Sequence, residues 1–247
     1  MILLARGGYR ARLAQSPEDV SAGLELRSAA FRDGAGDCDA FDAACDHALI
    51  ETEADGRLVG YFRLLPLGDG RAVDQSYSAQ FYGLSGLASY RGNMLELGRF
   101  CIDPSACTTA QSSADVLRMT WAALAAYVDR KEARMIFGCS SFEGMSVAPY
   151  RPAFGLLRDR YIGPAAWRPV QKAAEVVHFD ALAPEKPDFK AARSSLPPLL
   201  QSYLAMGGWV SDHAVIDRDL GTLHVFTALE IGSMPPARLA VLRALLA

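Results

Sequence analysis

Three apolar stretches of this chain carry charges that a buried strand has no stability reason to hold. LELGRFCI at 95–102 contains Glu96 and Arg99, and GYFRLLP at 60–66 contains Arg63. An unpaired ion taken out of water costs several kcal/mol. A shared cluster would offset that cost for each and would form a pocket suited to a zwitterion such as an amino acid. Pairing with surface charges at a strand edge would also account for Glu96 and Arg99. Positions three apart face opposite sides of a regular strand. Gly98, between the two, marks a place for a β-bulge. A bulge would re-aim one side chain and free a backbone N–H of the kind that holds an oxyanion.

The third stretch, FDAACDHALI at 41–50, gathers Asp42, Cys45, Asp46 and His47 just before a run of strand character. Acids beside an imidazole bind a cationic amine or relay a proton; they also solvate loops and cap turns. Cys38, Cys45 and His47 lack the closely spaced ligand couples of a metal site, so no metal is expected. Cys139 in FGCSSF has no nearby base to make it a nucleophile. His178, His213 and His224 are isolated in sequence and read as structural. The chain has no G-x-S-x-G, no G-x-G-x-x-G and no Walker A motif, so hydrolase-elbow, dinucleotide and nucleotide-phosphate readings find no support.

The elements that must position these residues are legible. YRARLA at 9–14 alternates as a short strand does. Ser16-Pro17-Glu18-Asp19 predicts a helix start, running to about Phe31 and burying Val20, Leu24 and the Arg27 stem. HALIETE and RLVGYFRLL, joined at Ala54-Asp55-Gly56, predict a hairpin. Residues 71–93 are irregular. Leu117, Trp121, Leu124 and Val128 mark an amphipathic helix from Ser112 to Lys131. MIFGCSSF and LHVFTALEI read as strands, and LPPLLQSYLAMG as a short helix. The stretch 183–195, with Pro184 and Pro187, reads as a connector to that C-terminal helix and the strands beyond. Mixed order with hairpins predicts an α/β fold, not an alternating doubly wound sheet.

With 247 residues, 51% of them hydrophobic, the chain can bury a large core. A formal charge of −3 argues against a general nucleic-acid binder. Five cysteines at irregular spacing fit reduced thiols in the cytoplasm better than a disulfide framework. No stretch reaches the length of a membrane span, although peripheral contact with the inner membrane face stays open.

Taken in order, FDAACDHALI, VGYFRLLP, LELGRFCIDP, the Trp121 helix, MIFGCSSF and LPPLLQSYLAMGG resemble the ornithine N-alpha-acyltransferase family of bacterial aminolipid synthesis. That family belongs to the GNAT superfamily and is related to the acyl-homoserine-lactone synthases. The resemblance implies a single GNAT-like domain over residues 1–247, with a central mixed twisted sheet flanked by helices. It implies transfer of a 3-hydroxy fatty acyl group from acyl carrier protein to the α-amino group of ornithine, giving lyso-ornithine lipid. Glutamine or another amino acid is the alternative acceptor, and a non-catalytic acyl-carrier or lipid-binding module the alternative from another class. In the related synthases the acids and arginines of these blocks line the cleft, which maps onto Asp42, Asp46, Arg63, Glu96 and Arg99.

One departure is informative. Residues 105–113, Ser-Ala-Cys-Thr-Thr-Ala-Gln-Ser-Ser, lack the glycines and basic residue of the pyrophosphate loop of acetyl-CoA-dependent relatives. No bound cofactor is therefore expected, and the donor is expected to be acyl-phosphopantetheine carried on acyl carrier protein. The expected catalytic residues are Glu96 as base, with Asp46 and His47 orienting the amine or passing its proton outward. Arg63, Arg99 and Asp42 are expected to bind substrate. Arg151, Arg158, Arg160, Arg168 and Lys172 are candidates for docking an acidic carrier, against the plainer reading of a solvated face. Phe81, Tyr82, Phe142 and Trp167 are candidates for an acyl-chain wall, or simply core.

Overall fold

A computed structural model of the chain describes residues 1–182 and 189–246. Contacts divide them into two compact units. The first comprises Met1–Pro66, Leu95–Ala133 and Pro236–Ala247. In it β1 (Ile2–Arg6) and β2 (Tyr9–Leu13) form a hairpin through Gly7 and Gly8, whose φ angles of 62° and 81° fit a tight turn. α1 (Pro17–Phe31) follows, its Asp19 N–H donating to the Ser16 hydroxyl at the N-cap. β3 (Asp46–Thr52) and β4 (Leu58–Leu67) form the predicted hairpin. β6 (Asn93–Ile102) lies beside β4, and α2 (Ala110–Lys131) closes with a reciprocal cap between Thr109 and Ser112. The strands run in the order β1-β2-β3-β4-β6.

Alternation along β4 assigns the two helices to opposite faces. A Cβ on Gly60 would lie 3.0 Å from Val116 of α2, and one on Gly23 of α1 would lie 2.5 Å from the Tyr61 ring. Adjacent strand residues face opposite sides, so α1 covers the face of Tyr61 and Arg63, and α2 the face of Gly60 and Phe62. Leu49, Tyr61 and Cys101 form the core beneath α1, with Leu26 and Phe31 packed against it.

The second unit comprises Leu67–Met94 and Arg134–Pro235. β5 (Tyr82–Gly83) pairs with β8 (Val170–Gln171) as a two-stranded ribbon. β7 (Ala133–Glu143), β9 (Val176–His178), β10 (Trp209–Asp217) and β11 (Thr222–Glu230) form an antiparallel set ordered β7-β11-β10-β9. α3 (Arg151–Arg160), α4 (Phe189–Ser194) and α5 (Pro198–Ala205) contribute to one core with Phe142, Phe154, Phe179 and Val225. α6 (Pro236–Leu246) belongs to the first unit.

The sequence reading missed β1 and α6. MILLA is too short for alternation to declare itself, and it becomes strand through pairing with β2. Part of the expected connector, 189–194, is the helix α4, while 183–188 lie outside the described residues. Among the described residues no helix is long and apolar enough to cross a membrane.

Candidate active site

The charges that looked misplaced in sequence meet in the first unit. Arg63 Nη1 donates to Asp39 Oδ1 and Asp42 Oδ1, both at 2.6 Å. Arg27 donates to Asp42 at 2.5 Å and to Asp37 at 3.1 Å. Arg99 completes the set, with Nε 3.1 Å from Asp37 and Nη2 3.2 Å from Asp39. Each aspartate therefore serves two arginines of the set, Asp37 lying also 3.7 Å from Arg32, and the six side chains close a ring of alternating charge. The Arg27, Arg63 and Arg99 side chains are 0%, 3% and 7% exposed, so burial alone would penalise all three. Burial works against the Arg63 charge, but Asp39 and Asp42 outweigh it and hold the guanidinium firmly protonated. Burial likewise pushes the Asp42 carboxyl up; the Asp39 N–H, Arg27 and Arg63 outweigh it and leave the group below the ordinary carboxylate range.

The backbone of β6 bends where the sequence suggested. Arg99 has φ of 55°, left-handed for a residue with a side chain, in the middle of a strand. Gly98 precedes it and faces Arg63, whose Nε would lie in ordinary contact, 3.5 Å, from a Cβ placed there. Glu96 is buried at 5% exposure. Burial pushes the Cys45 thiol up to about 12, with the charges of Arg63, Glu96, Asp42 and Asp39 also bearing on it. That common influence puts Glu96 in the neighbourhood of the ring and leaves Cys45 a protonated thiol, not a nucleophile.

His47 lies on the α1 face, opposite Arg63 in the β3–β4 register. Its Nε2 lies 3.0 Å from the Asp42 carbonyl, which can only accept, so Nε2 carries the proton. Its Nδ1 then accepts from the Tyr61 hydroxyl at 2.7 Å, and Arg27 Nη1 reaches the same hydroxyl at 3.4 Å. Burial raises the Tyr61 phenol well above its ordinary value and keeps it neutral.

Asp46 corrects one expectation. As the neighbour of His47 along β3 it projects to the other face, where it accepts from the Tyr127 hydroxyl of α2 and lies 3.6 Å from Lys131. Asp46 and His47 therefore do not form a joint relay. Arg63, Arg99 and Asp42 were expected at the substrate; the structure commits all three to the ring. Arg27 was expected to contribute only its stem, and Asp37 and Asp39 were not among the expected site residues.

The docking candidates are divided. Arg151 and Arg158 stand seven residues apart on α3 and share a side, whereas Arg160, nine after Arg151, projects from the opposite side. Arg160 lies over the Phe189 ring at 4.6 Å, and Arg158 donates to Asp159. Arg168 and Lys172 donate to the Gly163 and Ala79 carbonyls. Of the candidate wall residues, Phe142 and Tyr82 are core, and Trp167 packs edge-on against Tyr90 at 5.3 Å. Phe81 stands edge-on to His224 at 4.9 Å. The histidines read as isolated are not: His178 and His224 flank His213 through ring contacts with it or with Tyr82.

The ring falls within residues 22–114, which match the family model described as an acetyltransferase (GNAT) domain. The apo crystal structure of TofI shares the fold at a TM-score of 0.51 and 16% identity, covering 96% of this chain and 98% of that one. The likeness shows a GNAT-like acyltransferase fold. The L-ornithine N(alpha)-acyltransferase of Rhodobacter capsulatus is 30% identical over 244 residues, covering 92% of this chain and 91% of the relative. The enzyme of the same name from Brucella abortus is 31% identical over 250 residues, covering 93% and 87%. The chain belongs to the L-ornithine N(alpha)-acyltransferase family.

Proposed function

We propose that this protein transfers a 3-hydroxy fatty acyl group from acyl carrier protein to the α-amino group of L-ornithine, giving lyso-ornithine lipid. The observation that carries the proposal is the buried charge ring with Glu96 beside it, within a chain that its ornithine-acylating relatives match almost end to end. So much desolvated charge argues against a catalytically silent binding module.

The amine nitrogen attacks the thioester carbonyl, the C–N bond forms and the C–S bond breaks. The phosphopantetheine thiol leaves with a proton, and the amine loses one. An α-ammonium is mostly protonated at neutral pH, so a carboxylate must accept that proton before or during attack. Glu96 takes this role, directly or through water. Backbone N–H groups at the bend around Arg99 hold the developing oxyanion. The ring holds Arg63 and Arg99 rigidly, so they brace Glu96 and present fixed positive potential to the amino acid's carboxylate. His47, protonated at Nε2 and pinned by Tyr61, fixes the loop carrying Asp42. Asp46, on the other face, acts on α2 through Tyr127 and Lys131. No resident cofactor enters, and membrane contact is peripheral.

The test is direct. Purified protein is incubated with 3-hydroxyacyl carrier protein and a panel of amino acids, and the lipid products are weighed by mass spectrometry. N-acyl-ornithine is the expected product; N-acyl-glutamine in its place would move the acceptor, and no acylated product would overturn the enzyme reading. Glu96→Gln should lower kcat by about 10²–10⁴ while circular dichroism stays native. Near-native turnover in that variant removes Glu96 from the mechanism.

A further inference from the structure

Outside the charge ring, the second unit brings two histidines and an aspartate together on adjacent strands. His213 of β10 and His178 of β9 are direct partners in the antiparallel register, with ring centroids 5.5 Å apart. Asp212 precedes His213, and one donor atom from each of His178, Asp212 and His213 lies within 4.8 Å of the other two. From these positions we infer that His178, Asp212 and His213 form a binding site for a divalent transition-metal cation of the Zn²⁺ class.

The hydrogen bonds prepare the imidazoles for this. His213 Nδ1 lies 2.7 Å from Asp212 Oδ1, so these two donor atoms already face one another, and a cation between them would take the place of the proton they share. His213 Nε2, on the far side of the ring, is buried and has no hydrogen-bond partner among the described residues. His178 Nε2 donates to Gln171 Oε1 at 2.9 Å, which leaves the lone pair on its Nδ1. Each ring thus has a fixed orientation and a nitrogen able to coordinate.

The scaffold is unequal in a useful way. His213 is fully buried on a strand flanked by β9 and β11, and the Tyr82 ring packs on it at 5.3 Å. His178 is exposed on a three-residue strand at the end of the set, and the Asp212 side chain is 41% exposed. One ligand is anchored, while two stand at the surface where an ion enters and water completes the shell. Zn–N bonds of about 2.0–2.1 Å need donors roughly 3.3 Å apart in a tetrahedral site, an adjustment that falls to the two surface ligands. Two imidazoles and one carboxylate select borderline cations over Mg²⁺ or Ca²⁺, which prefer all-oxygen shells.

The test uses the full chain with no purification tag. Zn²⁺ is titrated calorimetrically into the native protein and into His178→Gln and Asp212→Asn, with Mg²⁺ as control. The native chain is expected to bind Zn²⁺ at this site at least tenfold more tightly than either variant, and Zn²⁺ is expected to raise the native Tm more than theirs. In the native chain, ring-nitrogen NMR should show His178 and His213 shifting together on Zn²⁺ addition, a readout independent of variant folding. A smaller affinity difference with unmoved His178 and His213 resonances overturns the proposal and assigns any Zn²⁺ uptake to the free cysteines.

Discussion

At the scale of single residues, Asp42 carries the most consequence because two buried arginines depend on one carboxylate. Removing it leaves Arg27 and Arg63 short of a counter-charge, so Asp42→Asn should lower stability at pH 7 by about 3–5 kcal/mol in urea unfolding. The pH dependence has a definite sign. A carboxyl whose pKa is lower folded than unfolded contributes stability fully present above its unfolded pKa, near 3.9. That contribution is lost as pH falls through the folded value. The gap between wild type and Asp42→Asn should therefore stay constant above about pH 5 and narrow below about pH 4. A gap independent of pH would show that the Asp42 charge is not what stabilises the ring. The presence of Glu96, Arg99 and Arg63 in apolar runs was legible because charge contradicts hydropathy. Asp37 and Asp39 gave no such contrast, being polar residues in a polar loop, and only the folded chain shows them turned inward.

Elements decide how those residues meet. α1 reaches the sheet closely enough for Arg27 to join the ring because Gly23 presents no side chain to Tyr61. Gly23→Ala forces the Tyr61 ring away, and with it the hydroxyl that engages both His47 and Arg27. We expect a loss of about 1–3 kcal/mol together with a drop in kcat, although residue 23 touches no charged group. Unchanged kcat would separate α1 packing from the site. Thr109→Ala removes the reciprocal cap of α2 and should cost about 1 kcal/mol in thermal unfolding. The helices and the β3–β4 hairpin were readable from caps, turn residues and period. β1 and α6 were not, and β1 becomes a strand only through its pairing with β2.

At the scale of the whole molecule, a net charge of −3 means that the acidic carrier protein proposed as donor would have to be received locally. Arg151 and Arg158 share a side of α3, so charge reversal of that pair should raise KM for acyl carrier protein, with kcat little changed. Reversal of Arg160, on the opposite side and engaged with Phe189, should do less. KM values measured across a salt series check this, and a salt-insensitive KM would remove the docking role. The charge ring has a whole-molecule consequence of its own, because a closed circuit has no end groups. Cutting it at one member strands two neighbours of like sign, whereas excising one arginine and one adjacent aspartate leaves a shorter chain that is still neutral. The double variant Arg99→Met with Asp39→Asn should therefore fold more stably than Asp39→Asn alone, a sign of coupling that independent ion pairs would not produce.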